Sequence, residues 1–212
     1  MVQKSILARI VNESEFHTFP FNHRVCSSVF SKTELKLLLS QFPTTNEMQP
    51  FGVDKFGSSR FHLFLDEISL ESIESKQKRN YWIAFLSKIR AFAEKDKLTI
   101  IQKYPDFFPV DEINTDQVSL SIRLVEEHLP FFLPPHIDKP QKLGVAVIYL
   151  DSEGGDERNG TYLFVKNENN DSGSIHGGFW KGKGFRRTLH VYIYKHSKEQ
   201  KDEIRRKFPN LF

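Results

Sequence analysis

A chain of 212 residues with 39% hydrophobic and 27% charged side chains is long enough to bury one good core and polar enough to be soluble, so a single domain is expected. No run approaches the roughly 18 apolar residues of a membrane helix, and the apolar run in MVQKSILARIVNESEF is too short for a signal peptide, which makes the cytoplasm the expected compartment and a membrane partner unexpected. The formal charge of +3 is too small and too evenly spread for a nucleic-acid footprint, and the lone Cys26 excludes an internal disulfide and any thiolate-based zinc or iron–sulfur site, so a metal here must use His and carboxylates.

Ser31 or Thr33 can cap ELKLLLSQF, whose leucines and Phe42 recur at helical spacing until Pro43 ends the run. Residues 44 to 60 carry the turn chemistry of a loop, and FHLFL after them alternates like a short strand. From about Ser75 to Glu94 a longer helix is predicted, with Tyr81, Ile83, Ala84, Phe85, Ile89, Phe92 and Ala93 as its apolar stripe. Nine of the eleven glycines lie after residue 143, and the back half reads as strands: VSLSIRLV, FFL, KLGVAVIYL, TYLFV and RRTLHVYIYK. Five such strands suggest a sandwich or barrel. The segments 151–160 and 167–173 are turn-forming, and SKEQKDEIRRKFPNLF predicts a terminal amphipathic helix that packs Ile204 and Phe208. The expected organisation is a helix-rich buttress over 1–117, a β core over 118–195 and a tail over 196–212.

Chemistry concentrates in FFLPPHIDKP. In extended backbone i and i+2 point to the same side, so His136 and Asp138 can ligate one ion, although an exposed turn after two prolines would give the same letters. His176, in the glycine-flanked SIHGGFW, supplies a third ligand 38 positions beyond Asp138. Two histidines and a carboxylate can occupy one face of an octahedral ion and leave the other positions open, the ligand set of non-haem Fe(II) oxygenases. Ten residues further, Arg186 opens RRTLHVYIYK, and alternation places Arg186, Thr188 and His190 on one side of that strand and Arg187, Leu189 and Val191 on the other. A guanidinium there can clamp a carboxylate in a bidentate fork, with the Thr188 hydroxyl as a second donor; a surface ion pair is the alternative role.

From about Val118 to Lys195 the chain resembles the Fe(II)- and 2-oxoglutarate-dependent oxygenases, in particular their prolyl-hydroxylase-like branch. The resemblance rests on His136-Ile137-Asp138, His176, Arg186-Arg187-Thr188, VIYL ending at Leu150 and GTYLF at 160–164. It implies an α+β fold with a double-stranded β-helix (jelly-roll) core and N-terminal helices packed against it. It also implies Fe(II) on His136, Asp138 and His176, with 2-oxoglutarate held by Arg186, Thr188 and Tyr149, O2 as co-substrate and ascorbate as reductant. The implied reaction hydroxylates a C–H bond with release of succinate and CO2, on a small-molecule or protein substrate that includes peptidyl proline. Leu163 and Arg123 are pocket positions in related chains, and a surface charge is the alternative for Arg123. Two other readings compete. A cupin-like jelly roll would use the pocket for binding only, and an interaction module would dock the basic tail KEQKDEIRRK on an acidic partner.

Overall fold

The computed structural model describes residues 14–19, 23–27, 29–53, 59–103, 118–138, 142–155, 160–164 and 175–195. In chain order these form β1 (Glu15–His17), β2 (His23–Val25), α1 (Lys32–Ser40), β3 (Gln49–Val53), β4 (Ser59–Phe64), α2 (Lys76–Lys103), β5 (Val118–Ile137), β6 (Lys142–Gly155), β7 (Gly160–Leu163) and β8 (Ile175–Lys195), with short 3-10 turns at Thr45–Glu47 and Ser69–Ser72. The protein is thus mostly β-sheet with two helices among the described residues. None of their helices is long and apolar enough to cross a membrane. The predicted tail helix and the segment 167–173 lie outside the described residues.

Helix α1 starts as its sequence predicts. The Ser31 hydroxyl accepts the Glu34 N–H at 3.2 Å while the Glu34 carboxylate accepts the Ser31 N–H at 2.8 Å, so two end donors are satisfied reciprocally. Helix α2 runs on to Lys103, well past Glu94, and buries Trp82, Leu86 and Ile89, with the Trp82 indole N–H donating to the Gln41 carbonyl at 2.7 Å. The segment predicted as a loop contains β3. Pro50 and Gly52 mask it in the sequence, yet β3 is an edge strand, the position in a sheet where proline is tolerated.

The main sheet has the order β3-β4-β5-β8-β6, entirely antiparallel, with β7 paired to the first part of β8. The front of the chain therefore supplies strands as well as helices. VSLSIRLV and FFL, predicted as separate strands, are one: β5 pairs with β8 from Val118↔Lys195 to Ile137↔Ile175 as a single long ribbon. The register shifts between Leu129 and Phe131 and again between Leu133 and His136, and Gly184, opposite Leu129, has φ 118°, a conformation that L side chains rarely adopt. Those irregularities divide the ribbon. One end carries β4 and β6, and the other carries β7.

Along the first end, alternation sorts side chains onto two faces. Ile122 and Leu124 of β5, Ile148 and Leu150 of β6, and Leu189 and Val191 of β8 join Trp82, Leu38, Leu86 and Ile89 in one buried cluster. Each such side chain contributes about 1.5–3 kcal/mol by leaving water, which fixes the register of all three strands. The opposite face of the same strands is polar, and it is there that chemistry collects.

Candidate metal centre

His136 and His176 are directly paired across β5 and β8, with ring centroids 4.4 Å apart. Gly177 makes that approach possible. A Cβ at 177 would lie 2.8 Å from the Leu133 carbonyl oxygen and 3.0 Å from the Pro135 nitrogen, both backbone atoms that cannot turn aside, so a side chain there would push the strands apart beside both histidines. Asp138 follows the end of β5, and its carboxylate lies 4.0 Å from His136 Nε2 and 3.8 Å from His176 Nε2. One ligand atom from each of the three falls within 4.8 Å of the others. The sequence-predicted triad is therefore brought together. The His136 Nδ1 lies 2.9 Å from the Pro134 carbonyl, which can only accept; Nδ1 carries the proton and Nε2 keeps its lone pair for a metal. Lys142, not anticipated from sequence, places its ammonium on Asp138 Oδ1.

The polar face of the sheet forms a wall of cations and hydroxyls. Thr188 and His190 are buried, and Thr188 Oγ1 is 2.9 Å from His190 Nε2, while His190 Nδ1 is 2.6 Å from the Tyr192 hydroxyl. Alternation assigns Arg186, Thr188 and His190 to this face, and the structure puts them there. Arg186 is engaged by a group the sequence did not single out: its Nε donates to Glu127 Oε2 at 2.7 Å and a terminal nitrogen meets the same oxygen. Arg60 Nε lies 3.1 Å from the other Glu127 oxygen, outside hydrogen-bond alignment. Arg187 faces the opposite way, donates to Glu126 at 2.8 Å and stacks on Phe42 and Phe185. Tyr149 is half exposed, bonds Thr161 through its hydroxyl at 2.7 Å and lies with its ring 5.3 Å from the Arg186 guanidinium. Arg123 sits among the rings of Phe51, Phe64 and Tyr192 at 5.7, 5.0 and 4.3 Å.

Wall and triad belong to one site. The Tyr192 ring lies 4.7 Å from Lys142 Nζ, and Lys142 binds Asp138. From Asp138 the contacts continue through Lys142, Tyr192 and His190 to Thr188.

Burial, reinforced by Arg60, Arg123, Arg186 and Lys142, holds the His190 imidazole well below its ordinary range. His62 is lowered in the same sense by burial and by Arg123 and Arg60. Burial raises the Tyr192 phenol against the pull of Arg123 and Arg60. His190 is therefore neutral, donating through one ring nitrogen and accepting through the other. Its unfolded form takes up a proton below about pH 6.5 and its folded form does not, so this stability is fully present above that pH and is lost as pH falls. His190→Gln is expected to flatten the decline of the unfolding midpoint between pH 7 and pH 5 relative to the parent, as read by thermal denaturation. A parallel decline in both proteins would exclude His190 as the source.

No known family profile matches the chain, and no curated protein matches it. Two solved structures of dioxygenase for auxin oxidation 1 from Arabidopsis thaliana are similar to it. The complex with 2-oxoglutarate shares 8% identity over 91% of this chain and 86% of that one with a TM-score of 0.40. The other shares 10% identity over 93% and 91% with a TM-score of 0.37. Likenesses at this level carry no functional argument, which rests on the geometry of the site.

Proposed function

We propose that this protein is an Fe(II)- and 2-oxoglutarate-dependent dioxygenase that hydroxylates a C–H bond of its substrate on a jelly-roll core. The observation that carries the reading is the meeting of His136, Asp138 and His176 within 4.8 Å, beside a sheet face that carries Arg123, the buried Arg186 and the buried Thr188. The donor set fits Fe(II). It offers two imidazoles, one of them with Nε2 freed by its bond to the Pro134 carbonyl, and one carboxylate, and three ligands on one side of an octahedral ion leave room for a chelating co-substrate and O2. The wall fits a dicarboxylate, because Arg123 and Arg186 present guanidinium groups and Thr188 a hydroxyl on one face.

In this reading His136, Asp138 and His176 hold the metal, and Arg186, Thr188 and Tyr149, joined by Arg123 and His190, line the co-substrate pocket. When bound, the iron with 2-oxoglutarate and O2 supplies the oxidation that places a hydroxyl on a C–H bond and leaves succinate and CO2, with ascorbate to keep it reduced. Neutral His190 fixes the Thr188 and Tyr192 hydroxyls and adds no charge of its own to the pocket. Lys142, whose ammonium rests on Asp138 Oδ1, would have to yield that oxygen to any ion bound through it. The ammonium on Asp138 is also the one observation that favours a binding-only protein, because it satisfies the carboxylate without any metal.

The test is anaerobic addition of Fe(II) and 2-oxoglutarate to the purified protein, followed by exposure to O2. A visible metal-to-ligand charge-transfer band and subsequent succinate release are expected. Bound iron with neither band nor succinate would replace this reading with the binding-only one. Proline-containing peptides are the first prime substrates to include, since the resemblance points to the prolyl-hydroxylase-like branch.

A further inference from the structure

We propose that Arg123, and not Arg186, is the principal contact of the far carboxylate of 2-oxoglutarate, Arg186 being a positioning residue within a buried Arg60–Glu127–Arg186 cluster. The proposal rests on the iron and 2-oxoglutarate reading above and departs from what the sequence motif implies.

The first ground is charge. Two nitrogens of Arg186 are directed at Glu127 Oε2, and the Glu127 side chain is only 1% exposed. Turning Arg186 toward a ligand would leave that carboxylate with Arg60 alone, and Arg60 meets it without hydrogen-bond alignment. A buried carboxylate stripped of its main partner is costly, so the fold opposes the rearrangement. Arg123 is in the reverse situation. Among the described residues it has no carboxylate partner, and its buried Nε has no hydrogen-bond partner.

The second ground is geometry. Phe51, Phe64 and Tyr192 surround the Arg123 guanidinium, and rings stacked on a guanidinium leave its in-plane N–H edge for a bidentate acceptor. Arg123 stands opposite His190 in the β5–β8 register and touches the Tyr192 ring, which also touches Lys142, the residue on Asp138. Arg186 is paired opposite Glu127, four positions from Arg123 along β5, and it contacts Glu127 and the Tyr149 ring. The contacts from Asp138 through Lys142 and Tyr192 therefore lead to the Arg123 guanidinium. The Thr188 hydroxyl, held by His190 Nε2, stands on the same face as a hydroxyl partner.

The experiment compares 2-oxoglutarate with 2-oxovalerate, which keeps the chelating keto acid and lacks the far carboxylate, by anaerobic titration of the charge-transfer band on Fe(II)-loaded protein. The parent is expected to prefer 2-oxoglutarate by about a hundredfold, the worth of a desolvated charge pair. Arg123→Gln should abolish that preference while 2-oxovalerate affinity stays within about threefold, and Arg186→Gln should retain it. Should Arg123→Gln not fold, Arg123→Lys keeps the charge without the fork and is expected to lower the preference about tenfold. An undiminished preference in either Arg123 variant, or its loss in Arg186→Gln, overturns the proposal and leaves the iron site standing. A parent that forms no band with either keto acid overturns the underlying reading, and this proposal with it.

Discussion

Asp138→Ala is expected to remove Fe(II) binding at micromolar metal and to bring succinate release to background. Asp138 contributes the only negative charge of the triad and lies 4.0 and 3.8 Å from the two imidazoles, so no other ligand of the set compensates its divalent partner. Loss of an outer-shell group alone costs about 10- to 100-fold in metal affinity, and loss of the charged ligand itself costs more. The variant should remain folded, because Asp138 is partly exposed at the end of β5 and Lys142, its ammonium partner, gains access to water. Lys142→Met is the opposite experiment. It removes the cation that competes for Asp138 Oδ1 and is expected to tighten Fe(II) binding, as read by anaerobic calorimetry. A charge-transfer band and succinate at parental levels in Asp138→Ala would place the metal elsewhere and end the assignment of this triad.

Why some of this was legible in the sequence follows from how strands expose their residues. RRTLHVYIYK sorts correctly because β8 is covered on both faces, by the helices on the side of Leu189 and Val191 and by polar partners on the side of Thr188 and His190, so a period of two is enforced along it. His136 and Asp138 were legible by the same rule. His176 was joined to them by ligand type and spacing, but the register His136↔His176 that brings it there depends on two irregularities in β5 that no local pattern announces. The glycines of FWKGKG concealed the first half of β8, although Gly184 is what a bend with φ 118° requires. The acidic partners were hidden for a different reason: periodicity gives the face of a residue and not its neighbour. One signal was present. Glu126-Glu127 and Arg186-Arg187 are doublets, and successive strand residues face opposite ways, so antiparallel pairing of the two doublets puts an ion pair on each face of the sheet: Glu126 with Arg187 toward the helices and Glu127 with Arg186 toward the pocket.

Those two ion pairs set up the second large effect. Glu127→Ala is expected to destabilise the protein by about 3–5 kcal/mol, because removing one partner of a buried ion pair leaves the other uncompensated. Here two guanidinium groups would be stranded, with side chains only 14% and 8% exposed in Arg60 and Arg186. For a chain of this length the unfolding midpoint should fall by about 6–20 °C. Glu126→Ala serves as the internal comparison. Its partner Arg187 is 25% exposed, so water can take over and the loss should be clearly smaller. Replacing Arg60, Glu127 and Arg186 together by methionine removes all three charges and should recover most of the stability lost in Glu127→Ala, since the penalty lies in the uncompensated cations and not in the absence of the salt bridge. Denaturant unfolding of the four proteins at pH 7 decides it. Equal losses in Glu126→Ala and Glu127→Ala would mean that the Arg60–Glu127–Arg186 cluster is solvated in solution. Arg186 would then be free to turn toward a ligand.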